Sequence, residues 1–176
     1  VYKGHSRENI KDGVETVVYS SSISKDNPEW IEADKRKLPV VQRAEVLGEL
    51  VNRKSGIAVT GTHGKTTTTS LVSVMLENMK LDPTVIIGGE VDMFRGNAKY
   101  GGGEYIVAEA DESDGSFIHL RPLYSVITNI EAEHMDYYKT LDDVLRAYAA
   151  FGRNTKNGGA IFYNYSDSNA VKVLKD

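Results

Sequence analysis

The sequence predicts an α/β fold with a central, P-loop-type, doubly wound and mostly parallel sheet, preceded by the back half of a small Rossmann-like α/β domain. Three observations predict it. Short β-branched runs alternate with stretches of helical periodicity along nearly the whole chain. A glycine turn, Gly61-Thr62-His63-Gly64-Lys65-Thr66, stands between one such run and one such helix. The stretch ahead of it alternates in the same way but has no glycine-rich turn of its own.

Val14 to Ser20 is β-branched and reads as a strand, and Pro28 opens a helix to about Lys37. Pro39 to Val41 is a short extended piece, and Arg43 to Arg53 is helical. These elements place a partial domain at residues 1–54, and a second partial domain at 55–176 begins with the apolar strand Ile57 to Thr60. Lys65 to Met79 is a helix with Leu71, Val72, Met75, Leu76 and Met79 at helical spacing, which assigns Met75 and Met79 to a core-facing stripe. Further strands are expected at Thr84 to Ile87, Tyr105 to Glu109, Ser125 to Asn129 and Ala160 to Tyr163, with helices near Leu141 to Phe151 and Ser168 to Lys175. Ligands of such sheets sit beyond the carboxyl ends of the strands, which points to 61–69, 109–114 and 129–136.

Composition narrows the function classes. The 176 residues carry a net charge of -4 and show no clustered Lys/Arg stripe, which disfavours a nucleic-acid partner and favours small molecules. No apolar run approaches the roughly 20 residues of a membrane span. The chain has no cysteine for disulfides or thiolate metal sites, and it opens without a basic, apolar leader, so a cytoplasmic location is expected.

The turn at 61–66 has the chemistry of a phosphate loop. Its glycines let the backbone wrap closely, its N–H groups and the positive helix end attract phosphate oxygens, Lys65 neutralises the β- and γ-phosphates, and the Thr66 hydroxyl suits magnesium. The general motif places another glycine where this chain has Val59, so a chance Gly-Lys-Thr turn is the bland alternative. The run Thr66 to Thr69 is poor helix material. The hydroxyls nearest the helix start, Thr66 and Thr67, read as phosphate- or metal-facing, while Thr68 and Thr69 read as packing. Magnesium takes oxygen ligands, so Glu109, ending a strand beside the loop, is the expected partner of Thr66.

GTHGKTTTT at 61–69 resembles the Mur ligases, which build the peptide of bacterial cell-wall precursors with ATP and which use this shortened loop without the earlier glycine. EADESDGSF at 109–117 and TNIEAEHMDYY at 128–138 are similar to the members that add L-alanine to UDP-N-acetylmuramate. So are GHSRENI at 4–10, YSSSISKDNPEW at 19–30 and PVVQRAEVLGEL at 39–50. The resemblance implies an internal piece of a three-domain enzyme, with the pyrophosphate-binding glycine turn and the carboxyl-terminal amino-acid-binding domain outside it. One departure is Glu133-His134, where the family usually has Asp-His.

The resemblance also implies site residues. ATP contacts fall to Gly61, Thr62, His63, Gly64, Lys65, Thr66, Thr67 and Asn129, and magnesium to Thr66, Glu109 and His134. Lys65 and His134 become the catalytic pair, with His134 at a second magnesium, although imidazole is an unusual ligand for that ion. Asn97, His5 and Arg43 are expected near the muramate substrate, each with an ordinary surface or packing role as its alternative. The implied reaction passes through an acyl phosphate to which L-alanine adds. Two rivals stay open at this point: a tripeptide-recycling muramate ligase, and a nucleotide-binding P-loop domain that ligates nothing.

Overall fold

The computed structural model describes residues 1–175, and the chain divides into two compact units, Val1–Leu47 and Gly48–Asp176. The division falls inside the helix Arg43–Arg53, ahead of the 54/55 boundary expected from the sequence.

In the first unit, β1 (Val17–Tyr19) and β2 (Val40–Gln42) pair in parallel with Val17 opposite Val40, joined by α1 (Pro28–Lys35). The start of α1 is written in the sequence. The Asn27 side chain accepts the Glu29 N–H at 2.9 Å, and Pro28 takes the first helical position, where no N–H is needed. Tyr19 and Trp30 meet edge to face at 4.4 Å between ring centroids, locking α1 onto β1. The helix α2 (Arg43–Arg53) follows β2 directly.

The second unit contains β3 (Ser55–Thr60), α3 (Lys65–Asn78), β4 (Thr84–Val91), β5 (Gly96–Lys99), β6 (Tyr105–Glu109), β7 (Tyr124–Ile127), α4 (Leu141–Arg153), β8 (Ala160–Tyr163) and α5 (Ser168–Leu174). Its six-stranded sheet has the order β5-β4-β6-β3-β7-β8, parallel throughout except for β5. This is the mostly parallel α/β sheet expected from the alternating pattern. All of β3 beyond Ser55 is buried, as a central strand of such a sheet must be. The chain leaves β3 through α3 toward β4 and β6 on one side, and β7 flanks it on the other. The carboxyl ends of β3, β6 and β7 therefore converge at the switch point where α/β sheets open a crevice.

Three elements, β4, β5 and α3, differ from expectation. Strand β4 continues past Ile87 to Val91, and β5 returns antiparallel along it with a register shift between Ile86 and Val91. Gly96-Asn97-Ala98-Lys99 carries neither β-branched residues nor apolar alternation, so only the neighbouring strand makes it extended. The larger correction concerns α3. Leu71, Met75 and Met79, read as a core stripe, are 60%, 62% and 64% exposed, while Thr69 and Ser73 are buried. Small hydroxyl residues let the helix lie close on β3, β4 and β6. Each also satisfies itself, because Thr69 donates to the Lys65 carbonyl at 2.8 Å and Ser73 to the Thr69 carbonyl at 2.7 Å.

Helix α4 begins with a capping box in which Thr140 and Asp143 exchange side-chain and backbone bonds. Its buried Tyr148 and Phe151 clasp Phe117, with ring centroids 5.2 Å away in both pairs. Phe117 lies in a short 3₁₀ turn, Ser116–His119, so this aromatic cluster anchors the loop that follows β6. No helix among the described residues is long and apolar enough to cross a membrane.

The inverted face of α3 sets an expectation for unfolding. Met75→Lys should change stability by no more than about 0.5 kcal/mol, whereas Ser73→Leu should cost about 1–3 kcal/mol by overpacking against the sheet. Urea unfolding of both variants measures this, and a large loss in Met75→Lys would contradict the exposed stripe.

Candidate functional site

The loop after β3 is tied down from the end of β7. Gly61 has φ of +136°, and a Cβ there would stand 2.0 Å from Thr128 Oγ1, so no side chain fits. Asn129 then clamps the loop with both ends of its amide. Its Oδ1 accepts the His63 N–H at 2.9 Å, its Nδ2 donates to the His63 carbonyl at 3.0 Å, and its own carbonyl accepts the Thr62 N–H at 3.0 Å. Thr128 adds a bond to the His63 carbonyl at 2.6 Å, and the buried Thr62 hydroxyl accepts the Glu131 N–H at 2.8 Å. Thr62, His63 and Asn129, expected as nucleotide contacts, thus spend these amides on shaping the loop. The His63 ring is left exposed, 3.7 Å from Glu131.

What the clamp presents is the bare start of α3. The first intrahelical bond runs from the Thr68 N–H to the Gly64 carbonyl at 3.0 Å. The amides of Lys65, Thr66 and Thr67 therefore have no carbonyl within the helix to bond, and with the helix dipole they form an anion cradle. At its mouth the Lys65 ammonium donates to the Gly61 carbonyl at 2.7 Å, the Thr62 carbonyl at 3.3 Å and Glu112 Oε1 at 2.9 Å.

Strand β6 delivers the carboxylate expected opposite the loop. The Thr66 hydroxyl donates to Glu109 at 3.0 and 3.2 Å, and the Gly88 N–H donates to Glu109 Oε2 at 2.9 Å. A Cβ at Gly88 would sit 2.9–3.0 Å from that carboxylate, so β4 is kept bare at this point along its length to let Glu109 in. A hydroxyl and a carboxylate held together form a hard-oxygen pair that fits magnesium.

The neighbouring Glu112, within the 109–114 stretch, is only 3% exposed. Burial pushes its carboxyl above the ordinary value, and the hydrogen bond from Lys65 opposes that push without cancelling it. The backbone carbonyl of Glu112 accepts the Tyr138 hydroxyl at 2.7 Å. His134 Nε2 lies 3.7 Å from Glu112 Oε1, and donor atoms of Glu112, Glu133 and His134 all fall within 4.8 Å of one another, a spacing that can hold a cation. His134 has φ of +54°, an uncommon conformation for a non-glycine residue, and its carbonyl accepts the Tyr137 and Tyr138 N–H groups at 3.0 and 2.9 Å.

Lys65, Thr66, Glu109 and His134 therefore converge, with Asn129 behind them. Asn97 does not join them: it is exposed on edge strand β5, with β4 and β6 between it and β3. His5 and Arg43 belong to the first unit. There His5 pairs with Glu29 at 3.5 Å and borders a cavity of about 130 Å³ with Tyr19 and Trp30, while Arg43 opens α2, exposed.

Comparison with known proteins bears on this site. Residues 59–176 match the Mur ligase middle domain and residues 1–55 the Mur ligase family catalytic domain. The chain is 54% identical, over 171 residues, to the UDP-N-acetylmuramate–L-alanine ligase of Syntrophotalea carbinolica, a match covering 97% of this chain and 37% of that protein. Among solved structures, UDP-N-acetylmuramate-alanine ligase from Thermotoga maritima superposes with a TM-score of 0.87 at 32% identity, over 96% of this chain and 39% of that one. The UDP-N-acetylmuramate:L-alanyl-gamma-D-glutamyl-meso-diaminopimelate ligase from Neisseria meningitides gives 0.84 at 25% identity, over 99% and 59%. The chain spans less than two-fifths of the curated relatives' length.

The closeness of Gly61 to β7 is open to test. Gly61→Ala should lower unfolding stability by about 3 kcal/mol, from a strained φ and a clash with Thr128. An unchanged denaturation midpoint would mean that the loop does not press on β7.

Proposed function

Because this chain belongs to the Mur ligase family, we propose that it forms part of a cytoplasmic, ATP-dependent ligase that joins L-alanine to the carboxylate of UDP-N-acetylmuramate in peptidoglycan precursor synthesis. We assign residues 55–176 to ATP binding and residues 1–54 to the nucleotide-sugar side. The observation that carries the reading is the meeting of the two ends of the site. The Thr66 hydroxyl, on the first turn of α3, lies 3.0 Å from Glu109 at the end of β6, directly beside the Lys65 ammonium's helix.

In this reading the triphosphate lies across the amides of Lys65, Thr66 and Thr67, and the ammonium of Lys65 faces its β- and γ-phosphates. Thr66 and Glu109 would hold one magnesium, with His134 at a second, and the bound ion would supply charge neutralisation at the transferring phosphoryl group. A carboxylate oxygen of the muramate attacks the γ-phosphorus, and the bond to the β-phosphate oxygen breaks to release ADP. The alanine nitrogen then attacks the acyl carbon of the acyl phosphate, the carbon–oxygen bond to phosphate breaks, and the amine gives up a proton. No protein nucleophile is required, so the residues act by alignment and by stabilising charge. The higher identity to alanine-adding relatives, 54% and 32% against 25% for the tripeptide ligase, favours L-alanine as the acceptor.

Lys65→Ala in the full-length protein should lower ligation turnover by about a thousandfold or more, measured as ADP release dependent on both UDP-N-acetylmuramate and L-alanine. Undiminished turnover would remove the phosphate-loop assignment. Glu109→Gln should raise the magnesium concentration for half-maximal activity by about 10–100-fold, the range for disturbing an ion's carboxylate surroundings. A magnesium titration that superposes on the parent's would separate Glu109 from the metal.

A further inference from the structure

Of the acidic side chains at 109–114, Glu112 alone is sealed from solvent. Its Oε1 takes one of the three hydrogens of the Lys65 ammonium, while the loop's own carbonyls at Gly61 and Thr62 take the others. Its second oxygen, Oε2, is buried with no hydrogen-bond partner among the described residues. A buried carboxylate in this state is costly, and burying a charge pair seldom stabilises a fold more than apolar packing would. The surroundings nonetheless hold it firmly: Tyr138 bonds its backbone, and Phe117, a few residues on, is clasped by Tyr148 and Phe151. A rigid, desolvated carboxylate bonded to the Lys65 ammonium presents to it the same negative charge that a phosphate oxygen would.

We propose that Glu112 is a positioning residue that holds the Lys65 ammonium at the loop mouth in place of a terminal phosphate and yields it when nucleotide arrives. The inference rests on the phosphate-loop reading above. Its consequence is a competition. Glu112 and the γ-phosphate seek the same ammonium, so the carboxylate weakens nucleotide binding in the ground state while keeping Lys65 in line for transfer. Orientation and affinity should therefore move in opposite directions when the charge is removed.

Glu112→Gln in the full-length protein keeps the side chain's shape and removes its charge. A non-hydrolysable ATP analogue with magnesium should bind about fivefold tighter or more by calorimetry, because a desolvated competitor for the ammonium is gone. Ligation turnover should fall by about 100-fold, giving the signature of lowered kcat with lowered KM. In a Lys65→Ala background the same change should add nothing to the loss, because the two residues act as one unit. Glu112→Asp keeps the charge but withdraws it by one methylene, and should lower turnover by about tenfold. Unchanged affinity and turnover in Glu112→Gln, or weaker binding alongside slower turnover, overturns the inference. Parental turnover in Glu112→Asp overturns it even where the glutamine variant does not fold. Full activity in Lys65→Ala instead defeats the phosphate-loop reading on which the inference stands.

Discussion

The second unit is organised by one contact, the pressing of the β3 turn against the end of β7. Gly61 leaves no space between itself and Thr128, and Asn129 holds His63 from both sides with a single amide group. A loop of small residues is entropically expensive to hold in one shape. The Asn129 clamp spends two side-chain bonds and one carbonyl on that task, and it does so from a strand whose own position is fixed by parallel pairing with β3 and β8. The reward is a helix start whose amides all face outward. Without the clamp, the turn would satisfy its own donors and the cradle would close.

The same economy shapes α3. A helix that must carry three exposed amides at its first turn and lie flat on a sheet needs small inward side chains, and those chains must not leave hydroxyls unpaired. Thr69 and Ser73 meet both demands by bonding back to carbonyls four residues earlier. The large apolar residues are left on the outside, which reverses the pattern that hydrophobic periodicity reports. Periodicity measures which residues are apolar. In this helix closeness of approach decides the inward face.

That reversal shows where the sequence was legible and where it was not. The parallel α/β order, the glycine turn that opens α3, and the meeting of Thr66 with Glu109 follow from local signals: a strand, a glycine turn, a helix, and a carboxylate at the next strand end. Strand β5 was hidden because its extended form comes from β4 and not from its own residues. Glu112 was hidden for a similar reason. Asp111, Glu112 and Asp114 look alike in sequence, and Asp111 and Asp114 take ordinary turn roles by accepting the N–H groups of Ser113 and Ser116 at 3.0 Å. The bond from Tyr138 to its backbone and, in particular, the anchoring of Phe117 under α4 accompany the inward turn of the middle carboxylate. That anchor depends on residues more than thirty positions away, beyond the reach of any local motif.

The balance of charge at the site says what kind of ligand it is built for. One ammonium and a helix start meet Glu109 and Glu112, and Glu133 lies beside Glu112 and His134, so the carboxylates outnumber the fixed cation before any ligand enters. A site meant for a bare anion would not place three acids near its cradle, because each repels the ligand. The arrangement becomes favourable only when the anion arrives with divalent cations that the same carboxylates can share. In the proposed reading, acids that would weaken a bare-anion site favour a metal-bound triphosphate and couple binding of the nucleotide to binding of its ion.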